Sequence, residues 1–436
     1  MAYLIRGARV VDPQVDLDET LDVLLSDDGR VAELGPAATE AGTAAGAEVV
    51  EGAGRVLVPG LFDMHVHFRD PGQEYKETIE GGVRAAAKGG YTDVATMPNT
   101  TPVTDNGALI AYQLEKSAKA GLSRVHPIGA ITKGELGEGL AEIGDMVAAG
   151  ACAFSDDGRG VQAAGMMRAA MDYIAQFDRP VISHCQDESL VGHGVVNEGA
   201  ASTRLGLAGW PAAGEELQVD RDLVLAKLTG CPFHAAHVTT AAGVEMVAQA
   251  KAAGQDATCE VCPHHLFLTE DDITEDYDTN FKMNPPLRTR EDAAELRKAL
   301  CDGRIDCLVS DHAPHAAHEK EREFERAPFG IVGLETELPL VLTHLVNPGL
   351  ISWQRLVEVT SVNPRRICRL EPLRVERGGE ATLTLIDPHA SFTVTADFLA
   401  GHGKNTPFLG RTLDGRAMWA FVAGKAILQE GEVVDR

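Results

Sequence analysis

Between residues 56 and 365 the chain repeats one pattern: a short apolar run of strand character, then a stretch with helical spacing. Eight such runs can be read, VPGLFDMHVH, TDVATMP, RVHPIGAI, ACAFSDD, PVISHC, PFHAAHVT, DATCEVCPHHL and DCLVSDHA. Helical patterns such as TIEGGVRAAAKGG and AAGMMRAAMDYIAQF lie between most of them. Alternating strands and helices demand a parallel sheet, because each crossover returns the chain to the same end. Eight strands in about 310 residues is the arithmetic of a (β/α)8 barrel. An open, doubly wound sheet would show the same periodicity and stays as the alternative. The two ends differ from this middle. Residues 1–55 and 366–436 carry short β runs with turn residues, Asp27-Asp28-Gly29 near the start and Gly424 and Gly431 near the end. They predict one small β-sandwich completed by both termini, with the barrel of residues 56–365 inserted between them.

Charge narrows the function. Lysine and arginine number 39 against 65 aspartates and glutamates, a net charge of −26. So acidic a surface repels phosphate backbones and anionic lipid, which argues against nucleic-acid and membrane partners. A small anionic substrate is still allowed in a locally positive pocket. No run approaches the 18 apolar residues of a membrane span, and MAYLIRGARVVDP has no signal-peptide pattern. Eight cysteines, mostly within apolar runs, fit reduced thiols in a cytoplasmic protein.

The chemistry-bearing residues fall at the ends of the β runs. His65 and His67 end the first; residues i and i+2 of a strand share a side, so two imidazoles converge from one strand. Alone, such a pair has an ordinary alternative in half-exposed surface histidines. Yet run four ends in Asp156-Asp157, run five in His184, run six in His237 and run eight in Asp311. In a barrel the carboxyl ends of all strands meet on one face. Histidines and carboxylates gathered there suit Zn²⁺ or a similar divalent ion.

HxH after GLFD, with separate His, His and Asp on later runs, resembles the amidohydrolase superfamily of metal-dependent barrels. The finer motifs are similar to the long, type I class of dihydroorotases: His65-Val66-His67-Phe68-Arg69-Asp70-Pro71-Gly72, Met97-Pro98-Asn99-Thr100, Ala153-Phe154-Ser155-Asp156-Asp157-Gly158, Asn284-Pro285-Pro286-Leu287-Arg288 and Ser310-Asp311-His312-Ala313-Pro314-His315. The resemblance covers nearly the whole chain. It implies reversible cyclisation of N-carbamoyl-L-aspartate to L-dihydroorotate in pyrimidine (UMP) synthesis, with one or two Zn²⁺ per chain. By the same resemblance, His65 and His67 hold one metal, His184 and His237 a second, and Asp157 bridges them. Asp311 binds the first metal and is the catalytic proton shuttle. Arg69, Asn99 and His315 take the substrate carboxylate, and Asn284 the ring edge. Arg69 lies two residues past His67, on the same side if the chain stays extended. Aspartate transcarbamoylase and a second copy of the chain are the macromolecular partners considered.

Related hydantoinases, dihydropyrimidinases and allantoinases generally bridge their metals with a carboxylated lysine on the fourth strand. Here no lysine occurs between Lys133 and Lys227, so an aspartate stands in that place. Asp156 and Asp157 point to opposite faces, and the family order favours Asp157 as the bridge. Two rival readings follow: an allantoinase or hydantoinase type of cyclic amidohydrolase, or a non-catalytic scaffold for aspartate transcarbamoylase. Elsewhere, Cys259-Glu260-Val261-Cys262-Pro263-His264-His265 suggests a structural zinc but lacks a second CxxC, and reads better as core thiols and hydrogen-bonded histidines in run seven. The charged stretch HAAHEKEREFERAPFG, residues 315–330, reads either as a solvated helix face or as a lid.

Overall fold

The computed structural model describes residues 2–435. All eight runs become parallel strands of one sheet: β1 (Leu61–Val66), β2 (Tyr91–Thr96), β3 (Arg124–Ala130), β4 (Ala153–Ser155), β5 (Val181–Ser183), β6 (Phe233–Ala235), β7 (Ala257–Val261) and β8 (Cys307–Leu308). They pair in sequence order. An isolated parallel bridge, Val66 to His312, together with the His67 N–H donating to His312 O at 2.8 Å, brings the last run back against the first and makes this a barrel.

The crossover helices form for local reasons. Helix Ile79–Gly89 starts where the Thr78 hydroxyl accepts from the Gly81 N–H, and stops at Gly90, whose φ of 88° favours glycine. Its buried Ile79, Val83 and Ala86 recur at helical spacing against the sheet.

Both termini build a second sheet of nine strands. Its amino-terminal members are Tyr3–Asp12, Leu17–Leu25, Val31–Leu34, Glu48–Glu51 and Val56–Pro59. Leu383–Thr393, Thr412–Val422, Lys425–Gln429 and Glu432–Val433 come from the other end. Val56–Pro59 pairs with Tyr3–Asp12 and with Leu383–Thr393, so this sheet runs four residues past residue 55 and leads straight into β1. The sheet folds over on itself: Tyr3 meets Trp419 and Phe421 ring to ring at 6.1 and 5.1 Å, although their strands are not neighbours. Gly29 and Gly424 sit in the turns read from sequence, and these turns touch. A Cβ on Gly29 would lie 2.5 Å from Ala423 O, so the join of the two termini itself requires glycine there. No helix among the described residues is long and apolar enough to cross a membrane.

Candidate metal centre

The residues expected at the mouth are brought together there. His65 is the last residue but one of β1 and His67 follows the strand; Asp157, His184, His237 and Asp311 each lie within three residues of the end of β4, β5, β6 and β8. All six are buried. Asp157 Oδ1 lies 3.4 Å from His65 Nε2, 3.5 Å from His184 Nδ1 and 3.6 Å from His237 Nε2. Asp311 Oδ1 lies 3.0 Å from His67 Nε2 and 3.6 Å from His65 Nε2. Two triads of ligand atoms emerge, His65, His67 and Asp311, and His65, Asp157 and His237, with His65 common to both.

The outward-facing ring nitrogens decide what this cluster needs. His65 Nδ1 sits 2.6 Å from Glu260 Oε1, His67 Nδ1 2.9 Å from Asn99 Oδ1, and His184 Nε2 2.9 Å from Gln186 Oε1. Each of these partners is an acceptor, so each ring places its proton there and turns a lone pair inward. Inward they meet carboxylates, which are acceptors too. Among the described residues His65 Nε2 and Asp157 Oδ1 consequently have no hydrogen-bond partner, although buried, while His184 Nδ1 faces His237 Nε2 at 2.9 Å and His67 Nε2 faces Asp311 Oδ1 at 3.0 Å. Lone pairs facing carboxylates are stable only around a cation, whether protons or a metal ion. Donors on a tetrahedral shell of about 2.1 Å radius lie about 3.4 Å apart, which matches the spacing found. The residues therefore fit a divalent metal.

Electrostatics agree. Burial would push Asp157 up, but His65, His184 and His237 hold its carboxyl well below the usual range. Asp311 is likewise opposed by burial, yet the His67 ring 3.0 Å away and the charge of His65 keep it low. Burial would push His65 down, and Glu260 and Asp157 outweigh it, raising the ring well above an ordinary imidazole.

Glu260 and Gln186 are functional residues that the sequence reading passed over. Glu260 accepts from His65, from His234 Nε2 at 3.0 Å and from the His237 N–H at 3.2 Å, so one buried carboxylate orients two strands' worth of the site. A lone glutamate inside an apolar run was its signal, masked by the flanking cysteines. Asp156 points away from the cluster and accepts from the Ile131 and Thr132 N–H groups at 2.8 and 3.0 Å. Cys262, His264 and His265 do lie close together; His265 Nε2 bonds Pro285 O at 3.0 Å, while Cys262 packs in the barrel interior.

Arg69 does not continue an extended strand, as the sequence reading assumed: β1 ends at Val66, and Arg69 turns at φ 60°. It is buried, donates from Nε to Pro314 O at 3.3 Å, and among the described residues no carboxylate oxygen lies within 4 Å of it. Three of the ten non-glycine residues at positive φ are Arg69, His237 and Asp311, so local strain concentrates at this mouth. Asn284 Nδ2 donates to Gln186 Oε1 at 2.8 Å and its Oδ1 is unpartnered. His315 Nε2 donates to Phe329 O at 2.7 Å, leaving Nδ1 with a lone pair, and burial with the charges of Arg69, Lys76 and Lys320 pushes the ring down to about 2.

Comparison with known proteins joins this geometry to a family. A curated dihydroorotase of Pelotomaculum thermopropionicum is 47% identical over 99% of both chains. One from Pelobacter propionicus is 48% identical over 98% of this chain and 99% of its own. The chain belongs to the dihydroorotase family. The family model described as dihydro-orotase-like matches residues 54–242 of this dihydroorotase-family chain, which include β1 to β6. Among solved structures, an L-hydantoinase (dihydropyrimidinase) from Arthrobacter aurescens superposes with a TM-score of 0.87 at 28% identity, covering 100% of this chain and 97% of that one. A dihydropyrimidinase from Brevibacillus agri, at 21% identity, covers 100% of this chain and 96% of its own with a TM-score of 0.84, and shares the fold. The family member described here is thus a cyclic amide hydrolase with a metal-type site.

Proposed function

We propose that the protein is a zinc-dependent dihydroorotase, interconverting N-carbamoyl-L-aspartate and L-dihydroorotate in pyrimidine synthesis. One observation carries the reading: a cluster that requires a cation adjoins a buried arginine that lacks an anion. L-Dihydroorotate brings a cyclic amide to the first and a carboxylate to the second. His65, His67, Asp157, His184, His237 and Asp311 would hold the metal, one or two ions per chain, and their mixed imidazole and carboxylate donors suit zinc. When bound, the metal supplies Lewis-acid polarisation and lets water attack near neutral pH.

The chain's own groups do the rest. Asp311, ionised by His67 and His65, takes the proton of the attacking water and returns it to the ring nitrogen as the C–N bond breaks. Arg69 offers a planar fork to the substrate carboxylate. Asn99 holds His67 and still has an amide donor, 3.5 Å from Asp157 O, that can turn to the same carboxylate. His315 belongs to the same end, its ring held by Phe329 O. Asn284 addresses the ring edge.

Hydantoin and allantoin rings carry no carboxylate for Arg69, and strand β4 offers no lysine, which disfavours those rivals. A scaffold-only role is disfavoured by the full ligand set. Docking on aspartate transcarbamoylase and formation of a homodimer belong to the same reading, with co-elution of the purified proteins and sedimentation as their tests. Eight free cysteines support a cytoplasmic setting. The deciding experiment pairs zinc content per chain with dihydroorotate hydrolysis followed by ultraviolet absorbance. Metal with turnover supports the reading; metal without turnover moves it to another cyclic amide; no metal after supplementation returns it to the scaffold.

A further inference from the structure

The segment after β8 has the composition of a solvated surface, yet Lys320 is buried within it, and Lys282 is buried beside it. Lys320 Nζ donates to Gly330 O at 3.0 Å, Pro328 O at 3.1 Å and Lys282 O at 3.4 Å. Lys282 Nζ donates to Phe324 O at 2.7 Å and Glu325 O at 3.0 Å, and stands 4.5 Å from the centre of the Phe329 ring. Among the described residues neither ammonium has a carboxylate within 4 Å. Burial and the charge of Lys282 lower Lys320 to about 7, a cost the site accepts because no neutral side chain can donate to three carbonyls from one atom.

A third anchor comes from the far end of the chain. Asn405 Nδ2 donates to Gly330 O at 3.0 Å and to Ala313 O at 3.1 Å, while its Oδ1 accepts from the His315 N–H at 3.0 Å. Gly330, at φ 120°, has no room for a side chain: a Cβ there would lie 2.7 Å from Ala313 Cβ and 3.3 Å from His315 Nε2. Lys320 and Asn405 thus grip the same carbonyl, and the residue before it, Phe329, fixes the His315 ring through its own carbonyl.

We propose that Lys320 is a positioning and specificity-determining residue: with Asn405 it sets Phe329-Gly330 against His315, and through His315 it favours ring substrates that bear a carboxylate. This rests on the reading of Arg69 and His315 as the carboxylate end of a dihydroorotase site. Lys320 touches no reacting atom. Its effect belongs to binding, equally in ground and transition states, and so falls on KM.

The test compares dihydroorotate as substrate with its neutral methyl ester as competitive inhibitor. Lys320→Met is expected to raise KM for dihydroorotate about tenfold while kcat falls by no more than about threefold and metal content holds. The inhibition constant of the ester should shift by less than about threefold, and Lys320→Arg should restore KM. Unchanged KM, or equal weakening of acid and ester, overturns the proposal. Asn405→Ala removes the other half of the clamp and should raise KM for the acid about threefold with a smaller shift for the ester; no change for the acid also overturns it, even if Lys320→Met does not fold. A wild-type protein inert toward dihydroorotate overturns the functional reading and this proposal with it, whereas an active wild type with a silent Lys320→Met overturns the proposal alone.

Discussion

The two ends of the barrel use the same residue types to opposite effect. At the amino end, buried Asp93 meets Arg124 at 2.8 Å, Arg365 at 3.0 Å and His126 at 2.7 Å, and Arg124 also meets Glu380 at 2.7 Å. Every charge there finds its partner within the chain. At the carboxyl end Asp157 is ringed by imidazole nitrogens at 3.4–3.6 Å, none in a hydrogen bond with it, and among the described residues Arg69 has no carboxylate oxygen within 4 Å. One end is complete as folded and stabilises the barrel. The other lacks a cation, and under the proposed function it takes a metal ion and the substrate's carboxylate.

This contrast predicts that changes at the two ends separate activity from stability. Asp311→Asn should produce the largest effect, a fall in kcat of about a thousandfold or more, since the amide cannot carry the proton. Thermal unfolding should shift little, because the side-chain contact of Asp311, with His67 Nε2 at 3.0 Å, can be kept by an amide of the same shape. A variant that melts early, or one that keeps its turnover, breaks the contrast at its strongest point.

Asp93→Asn should do the reverse. It leaves Arg365 buried without its counter-charge, and a loss of about 3 kcal/mol is expected in denaturant unfolding, at the lower end for a broken buried pair because Arg124 keeps Glu380. Turnover per folded molecule and metal content should stay at the wild-type level. Lost zinc in this variant would mean that the two ends are not independent.

Arg69→Ala tests the anion half of the mouth. KM for dihydroorotate should rise about a hundredfold, the loss of a charged, bidentate partner, with zinc content unchanged. Normal substrate binding would remove Arg69 from the carboxylate pocket.

What could be read in advance follows the range of the interactions involved. The eight strands were legible because a buried parallel sheet needs apolar runs, and those are written locally. So were His65, His67, Asp157, His184, His237 and Asp311, each placed by its position at a run's end. Glu260 and Gln186 were not, because their meaning lies in the rings they meet across the sheet. Lys320 was the most misleading: in HAAHEKEREFERAPFG it reads as one solvated charge among many, and its burial depends on carbonyls contributed by Lys282, some forty residues earlier, and by the returning Pro328-Gly330. Arg69 was expected to share the side of His67 through strand periodicity, but its direction comes from a left-handed turn.

The smallest prediction concerns Glu335, which lies just beyond the segment that follows β8 and touches neither end's charge cluster. It is buried and accepts from the Ala400 and Gly401 N–H groups at 2.9 and 3.4 Å, pinning the carboxyl-terminal loop that leads to Asn405. Burial, reinforced by the charge of Glu77 and only partly offset by those N–H groups, raises its carboxyl from 4.5 to about 7. The folded protein therefore holds this proton where the unfolded chain has released it. Stability should fall as pH rises from about 4.5 to 7, by up to about 3 kcal/mol, and level off above that. Glu335→Gln keeps an acceptor for Ala400 without the ionisation. It should match the wild type near pH 5 and surpass it at pH 8, a crossover that unfolding curves at the two pH values would detect. A wild-type advantage that persists at pH 8 would show that Glu335 is held ionised by its backbone donors, and that buried carboxylates away from the mouth are as completely partnered as Asp93.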